Sequence, residues 1–247
     1  MNEPLVRRTD RDGVAIIELH RPHRKNAIIA PMLDELTAHV EAASASDSTE
    51  VVLLCGAGGA FCSGLDLTEY NADPPPAWLP TASRSLKAAH VALGACPKPV
   101  VVALERYAIN GGAAFALAGD LIVAGRDAWL QVGEARLGMN APMNLAWLVA
   151  RYPMATVLQI VLPGARLTGG DLLRLGIAHE VVDDDQVRAR AEALAAEIAS
   201  FPAGSARRLK QSALQLSNDL PATTTTSEWF DRAAALPPTA APPPPRS

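Results

Sequence analysis

Apolar positions along the chain alternate between two rhythms. Val14-Ala15-Ile16-Ile17-Glu18-Leu19 is apolar and rich in β-branched residues, which predicts a strand leading into a loop over 20–26. Leu33, Leu36, Val40 and Ala43 then recur at helical spacing. The same reading gives a strand over 51–55, a helix over 81–94 and a proline-bounded strand over 100–104. Gly111-Gly112 opens a small-residue helix through Gly119, short strands follow over 121–123 and 129–132, and a helix covers about 143–151. Strands alternating with helices predict an α/β fold, with buried parallel strands and helices outside. Asp73-Pro74-Pro75-Pro76 cannot continue a helix and is expected as an exposed loop.

From about Thr168 the character changes. One last strand is expected over 178–182, then an amphipathic helix carried by Val187, Ala191, Leu194, Ala195 and Ile198, then a helix over 205–216 after a Pro-Ala-Gly break. The expected organisation is a core over 1–167, a helical C-terminal subdomain over 168–236 and a Pro-rich tail over 237–247, whose composition favours polyproline II.

Composition narrows the function classes. The chain has 247 residues, is 49% hydrophobic and has a formal net charge of −4, enough for a core and without the basic surplus that neutralising a nucleic-acid backbone requires. Nucleic acid is therefore not an expected partner. Three cysteines, Cys55, Cys62 and Cys96, form neither an even disulfide framework nor a Cys-x-x-Cys pair, so no metal is expected and a reducing cytoplasmic home is. The first 13 residues are charged rather than apolar, and no run of about 18 apolar residues offers a membrane span.

Two glycine-bearing turns, each directly after a predicted strand, carry the candidate chemistry. Gly56-Ala57-Gly58 is not a dinucleotide fingerprint, since Phe61 stands where its third glycine belongs, and no phosphate loop of the G-x-x-x-x-G-K-[ST] type is present. His20 and His23 lack a third ligand placed with them. The segments Phe61-Cys62-Ser63-Gly64-Leu65-Asp66-Leu67 and Ala108-Ile109-Asn110-Gly111-Gly112-Ala113-Ala114 each place a sharp turn after a strand. Taken singly, each is an ordinary tight turn. Taken together, they can aim two unpaired backbone N–H groups at one point, which is the design of an oxyanion hole.

These segments resemble the enoyl-CoA hydratase/isomerase (crotonase) superfamily. The resemblance is carried by Arg21-Pro22-His23-Arg24-Lys25-Asn26-Ala27, by the two glycine turns, by Gly133-Glu134-Ala135-Arg136-Leu137-Gly138, and by the run from Leu167-Thr168-Gly169-Gly170 to Ile177-Ala178, and it extends over about 5–216. It implies a spiral of ββα units with a helical C-terminal region used for trimer contacts, often as a dimer of trimers, so a homotrimer or hexamer is expected. It further implies an acyl-coenzyme A thioester as substrate with no permanently bound cofactor. The backbone amides of Leu65 and Gly111 would grip the thioester oxygen. Arg24, Lys25, Ala27, Ser63, Leu65, Leu67 and Gly111 would contact substrate and coenzyme; Arg24 and Lys25 also make sense as cations for its phosphates.

Hydratases of the family use two glutamates. Here the first position is Ala114, and the second is Glu134, expected in a mostly apolar pocket that raises its pKa toward neutrality. The 3-enoyl to 2-enoyl isomerases lack the first glutamate and keep the second, so a single-glutamate isomerase is expected ahead of a hydratase, in lipid or related acyl-CoA metabolism. The alternative is a catalytically silent relative that binds acyl-CoA. Arg106 and Asn110 stand where the family commonly has glycine, each adding a side chain near the turn that either narrows the site or brings a new polar group. The 139–144 stretch offers no aspartate nucleophile, which disfavours dehalogenase chemistry. Glu228-Trp229-Phe230-Asp231-Arg232 is similar to the family's final helix, although it is short.

Overall fold

A computed structural model describes residues 3–216, together with Ser227, Glu228 and Asp231. The polyproline tail expected over 237–247 and most of the segment around Trp229 lie outside the described residues. Nine strands and nine helices follow in order among the described residues: β1 Val6–Arg11, β2 Val14–Leu19, α1 Ala30–Ala45, β3 Val51–Gly56, α2 Leu67–Tyr70, α3 Ala82–Ala95, β4 Val100–Leu104, β5 Tyr107–Ile109, α4 Gly111–Leu117, β6 Leu121–Gly125, β7 Trp129–Gln131, α5 Pro142–Arg151, α6 Met154–Val161, β8 Arg166–Thr168, α7 Gly169–Arg174, β9 Glu180–Val182, α8 Val187–Ala199 and α9 Ser205–Leu216. They form a six-stranded sheet in the order β1-β2-β3-β4-β6-β9 and a three-stranded sheet in the order β5-β7-β8.

The expected parallel core is present. β2, β3, β4, β6 and β9 run parallel in the large sheet, and every residue of β3 and β4 is buried, as strands covered on both faces must be. One face packs on α1, α3 and α4 through Leu33, Leu36, Val40, Leu93 and Phe115. The other is covered by α8, whose Val187, Ala191, Leu194 and Ala195 meet Val51, Leu53, Val101, Ala103 and Val123. The chain beyond Thr168 therefore returns to the large sheet with one strand and one covering helix.

Two strands depart from the all-parallel expectation. β1 was hidden in a charged opening segment. It pairs antiparallel with β2 from Val6 opposite Leu19 to Arg11 opposite Val14, through a two-residue turn in which Asp12 and Gly13 both have positive φ. Asp-Gly is the preferred dipeptide for that turn. Only Val6 of β1 is buried, and its arginines and aspartate suit an exposed sheet edge. β8 runs antiparallel to β7. The proline loop at Asp73 lies exposed between α2 and α3, as expected.

Parallel pairing sends the chain out of β2, β3, β4 and β6 at one edge of the sheet, and the loops leaving there are fastened to one another. Asn26 is fully buried; its Oδ1 accepts from the Arg21 N–H at 2.9 Å, and its Nδ2 donates to the carbonyls of Ala57 at 2.9 Å and Ala60 at 2.8 Å. The loop after β2 is thereby tied to the loop after β3. Asn26→Ala leaves three buried backbone groups unpaired and places a Cβ-bearing residue without a local side-chain bond at φ 53°, so a loss of at least about 3 kcal/mol is expected. Urea unfolding of the purified variant measures it.

Candidate active site

The second sheet brings the site together. Cys62 bridges to Ala108 of β5 in parallel fashion, with Phe61 N–H bonded to the Glu105 carbonyl and Ile109 N–H to that of Cys62. β5 in turn pairs parallel with β7, Ile109 opposite Gln131. Three chain segments therefore end side by side: the turn at Ser63–Leu65, the end of β5 at Asn110–Gly111, and the end of β7 at Gly133–Glu134. Small residues permit this approach, since a Cβ at Gly112 would lie 2.5 Å from the Cys62 carbonyl oxygen.

These ends line one cavity of about 260 Å³, mostly apolar, whose walls include Ser63, Leu65, Leu67, Gly111, Glu134 and Asn144. Ser63, Leu65, Leu67, Gly111 and Glu134, all singled out from sequence, are brought together here. Leu65 and Gly111 lie in contact range, for a Cβ built at Gly111 would sit 4.0 Å from Leu65 Cδ2. Ile28 takes its two parallel-bridge bonds from the residues on either side of Leu65, Gly64 and Asp66. Among the described residues, neither the Leu65 N–H nor the Gly111 N–H, the first of α4, meets a protein acceptor.

Arg24, Lys25 and Ala27 do not line this cavity. Ala27 is buried and its carbonyl accepts from the Arg21 guanidinium. Arg24 is half-buried, with its guanidinium on both oxygens of Asp66 at 2.7 and 3.1 Å. Asp66 also faces Arg21, 3.2 Å away. Burial alone would raise the Asp66 pKa; the Arg24 hydrogen bonds, the Glu69 amide and the charge of Arg21 hold it below the usual carboxylate value instead. Lys25 is exposed, and its carbonyl receives the Ser63 N–H at 3.1 Å, which sets it beside the cavity wall.

Glu134 starts a single 3-10 turn, Glu134–Leu137, and is 7% exposed. Burial pushes its carboxyl up to about 7, against the smaller opposing effects of its own backbone N–H and of Asn144. Its Oε1 accepts from Asn144 Nδ2 at 2.8 Å, while its Oε2 is buried without a partner. Among the described residues no cation pairs with it: Arg136, two residues on, bonds the Pro163 carbonyl instead, and the other residues lining the cavity are uncharged. Ala114 is fully buried within α4 and does not line the cavity.

The two positions where glycine would be usual have a shared backbone cause. Arg106 has φ 56° and Asn110 φ 49° with ψ −113°, conformations that favour glycine. The Arg106 side chain is exposed and stays out of the cavity, so it does not narrow it. Asn110 lines it, and its Oδ1 accepts the Gly133 N–H at 2.9 Å. Asn144 was missed as a site residue. Its one sequence signal is a polar side chain in the first turn of a helix opened by Pro142, and its proximity to Glu134 comes only from how α5 packs.

The sequence profile of the enoyl-CoA hydratase/isomerase family matches residues 9–229. The chain is 30% identical over 203 residues to the 1,2-epoxyphenylacetyl-CoA isomerase of Escherichia coli K12, covering 81% of this chain and 78% of that protein. It is 32% identical over 214 residues to a probable enoyl-CoA hydratase of Rhodobacter capsulatus, covering 85% and 82%. A solved carnitinyl-CoA dehydratase from Mycobacterium avium superposes with a TM-score of 0.80 at 26% identity, covering 94% of this chain and 90% of that one. With a profile matched over most of its length and a fold shared with solved members, the chain belongs to the enoyl-CoA hydratase/isomerase family, the crotonase superfamily of enzymes acting on coenzyme A thioesters.

Proposed function

We propose that the chain is an enoyl-CoA isomerase with a single acid–base residue, Glu134, and an oxyanion site made by the N–H groups of Leu65 and Gly111. The observation that carries this reading is the cavity that Glu134 shares with those two unbonded amides. The amides receive the thioester oxygen as it gains negative charge. The Glu134 carboxylate takes a proton from C2 of a 3-enoyl thioester, the electron pair moves through the conjugated system to the oxygen, and the proton returns at C4 as the double bond settles between C2 and C3. Atoms and charge balance without water. A pKa of about 7 suits one group serving as base and then acid. Ala114 supports isomerisation over hydration, because a buried methyl group cannot orient water.

Ser63, Leu65 and Leu67 would run along the pantetheine with their backbone, with Ala27 beside them. Lys25, and Arg24 in the share of its charge that Asp66 leaves, would meet the phosphates. A homotrimer or hexamer is supported by Met154, Leu158 and Leu162, exposed on one face of α6 and just past its end, an apolar stripe that a second copy can cover. Sedimentation equilibrium is expected to give three or six chains per particle.

Two further outcomes follow. Across a chain-length series of thioesters, turnover of 3-enoyl substrates is expected to exceed hydration of 2-enoyl substrates, and Glu134→Gln to lower turnover by about 10²- to 10⁴-fold. Hydratase turnover that survives Glu134→Gln would sink the assignment; tight acyl-CoA binding with no product from any chain length would leave the silent alternative. The folded-state pKa of Glu134 lies above its ordinary 4.5, so the protonated form is favoured on folding and stability falls as pH rises from about 4.5 to 7. Glu134→Gln is therefore expected to stabilise the protein at pH 8 relative to pH 4, by on the order of 3 kcal/mol, as measured by urea unfolding at both values.

A further inference from the structure

We propose that Asn144 is the positioning residue of this site: its carboxamide clamps Glu134 through Oε1 to the backbone that carries the Gly111 amide. This rests on Glu134 being the acid–base.

The clamp is a closed ring. Asn144 Nδ2 donates to Glu134 Oε1 at 2.8 Å and to the Asn110 carbonyl at 3.0 Å. Asn110 Oδ1 in turn accepts the N–H of Gly133 at 2.9 Å. Gly133 precedes Glu134 and Asn110 precedes Gly111 in the chain, so covalent bonds complete the circuit at both ends. The separation between the carboxyl and the Gly111 amide is thus set by hydrogen bonds of defined length on both sides, which is how a base is kept at a working distance from the charge it generates. The amide orientation follows from its neighbours: the Asn110 carbonyl can only accept, so the NH₂ end of Asn144 must face it.

Burial makes the arrangement directional. Asn144 is 1% exposed and Glu134 7%. One carboxyl oxygen is held by Asn144, and the other is buried with no protein partner. The bond to Asn144 restricts rotation of the carboxyl. A donor on Oε1 also favours the ionised form and opposes the effect of burial. Among the described residues no other titratable side chain lines the cavity, and Arg136 on the same turn is held by the Pro163 carbonyl. The backbone of Asn110, with φ 49° and ψ −113°, is one that glycine adopts more readily. The asparagine is kept in that conformation by its bonds on both sides of the ring, to Gly133 and to Asn144.

The test is the pH dependence of kcat on a 3-enoyl thioester for wild type, Asn144→Leu and Glu134→Gln. Asn144→Leu removes the donor in a side chain of similar size. Its acid limb is expected to move up by at least about one pH unit, with kcat at pH 7 down about 10- to 100-fold. A uniform loss with the limb unmoved, or kcat within about two-fold of wild type, overturns the clamp. Full turnover in Glu134→Gln overturns instead the acid–base reading beneath it, so the two failures are distinguishable. Should Asn144→Leu fold poorly, Asn110→Gly supplies a second arm, because glycine accepts that backbone while losing the bond to Gly133. There kcat is expected to fall about 3- to 10-fold at unchanged KM, and an unchanged kcat overturns the proposal.

Discussion

Parallel pairing of strands buried on both faces is the constraint on which the rest depends. β2, β3, β4 and β6 hydrogen-bond in one direction, so the chain leaves all four at one edge, and each return requires a helix or a long connection. That edge collects the loops after residues 19, 56, 104 and 125. A second, short parallel pairing of Cys62 with β5 and of β5 with β7 then aligns their ends. The position of the cavity follows from strand direction before any of its side chains is considered.

Within that frame the charges are segregated. Arg21, Arg24, Asp66 and Glu69 form a mutually paired cluster beside the first turn, where Asp66 is held ionised. Among the described residues Glu134 has no such partner, and the cavity walls around it are neutral and mostly apolar. Two carboxylates sit on neighbouring turns, and opposite environments push one pKa down and the other up to about 7. Of the two, only the second has a pKa near neutrality.

The backbone is strained where loops are fastened. Lys25, Asn26, Arg106 and Asn110 all have positive φ; the first two lie on the connection that leaves β2, Arg106 on the one that leaves β4 and Asn110 on the one that leaves β5. For Asn26 and Asn110 the side chain bonds to a neighbouring loop and so supports the conformation. Lys25 and Arg106 are supported by the backbone instead, their carbonyls accepting the N–H groups of Ser63 and Trp129. Such conformations persist only where the surroundings over-determine them.

The sequence by itself determined the rhythm of strand and helix, the burial of β3 and β4, the two glycine turns, and, through motifs in order, the family. Leu65, Gly111 and Glu134 could be named because each sits at a fixed offset from a local pattern. β1 was legible only in its Asp12-Gly13 turn, since its own residues read as polar and its pairing partner supplies what they lack. Only the tertiary structure decided that β8 runs antiparallel, that the chain beyond Thr168 returns to cover the large sheet, that Arg106 points away from the cavity while Asn110 enters it, and that Asn144 holds Glu134. Periodicity reports which face of an element is buried. It cannot report which two side chains from different elements meet, because that depends on how helices and sheets pack in three dimensions.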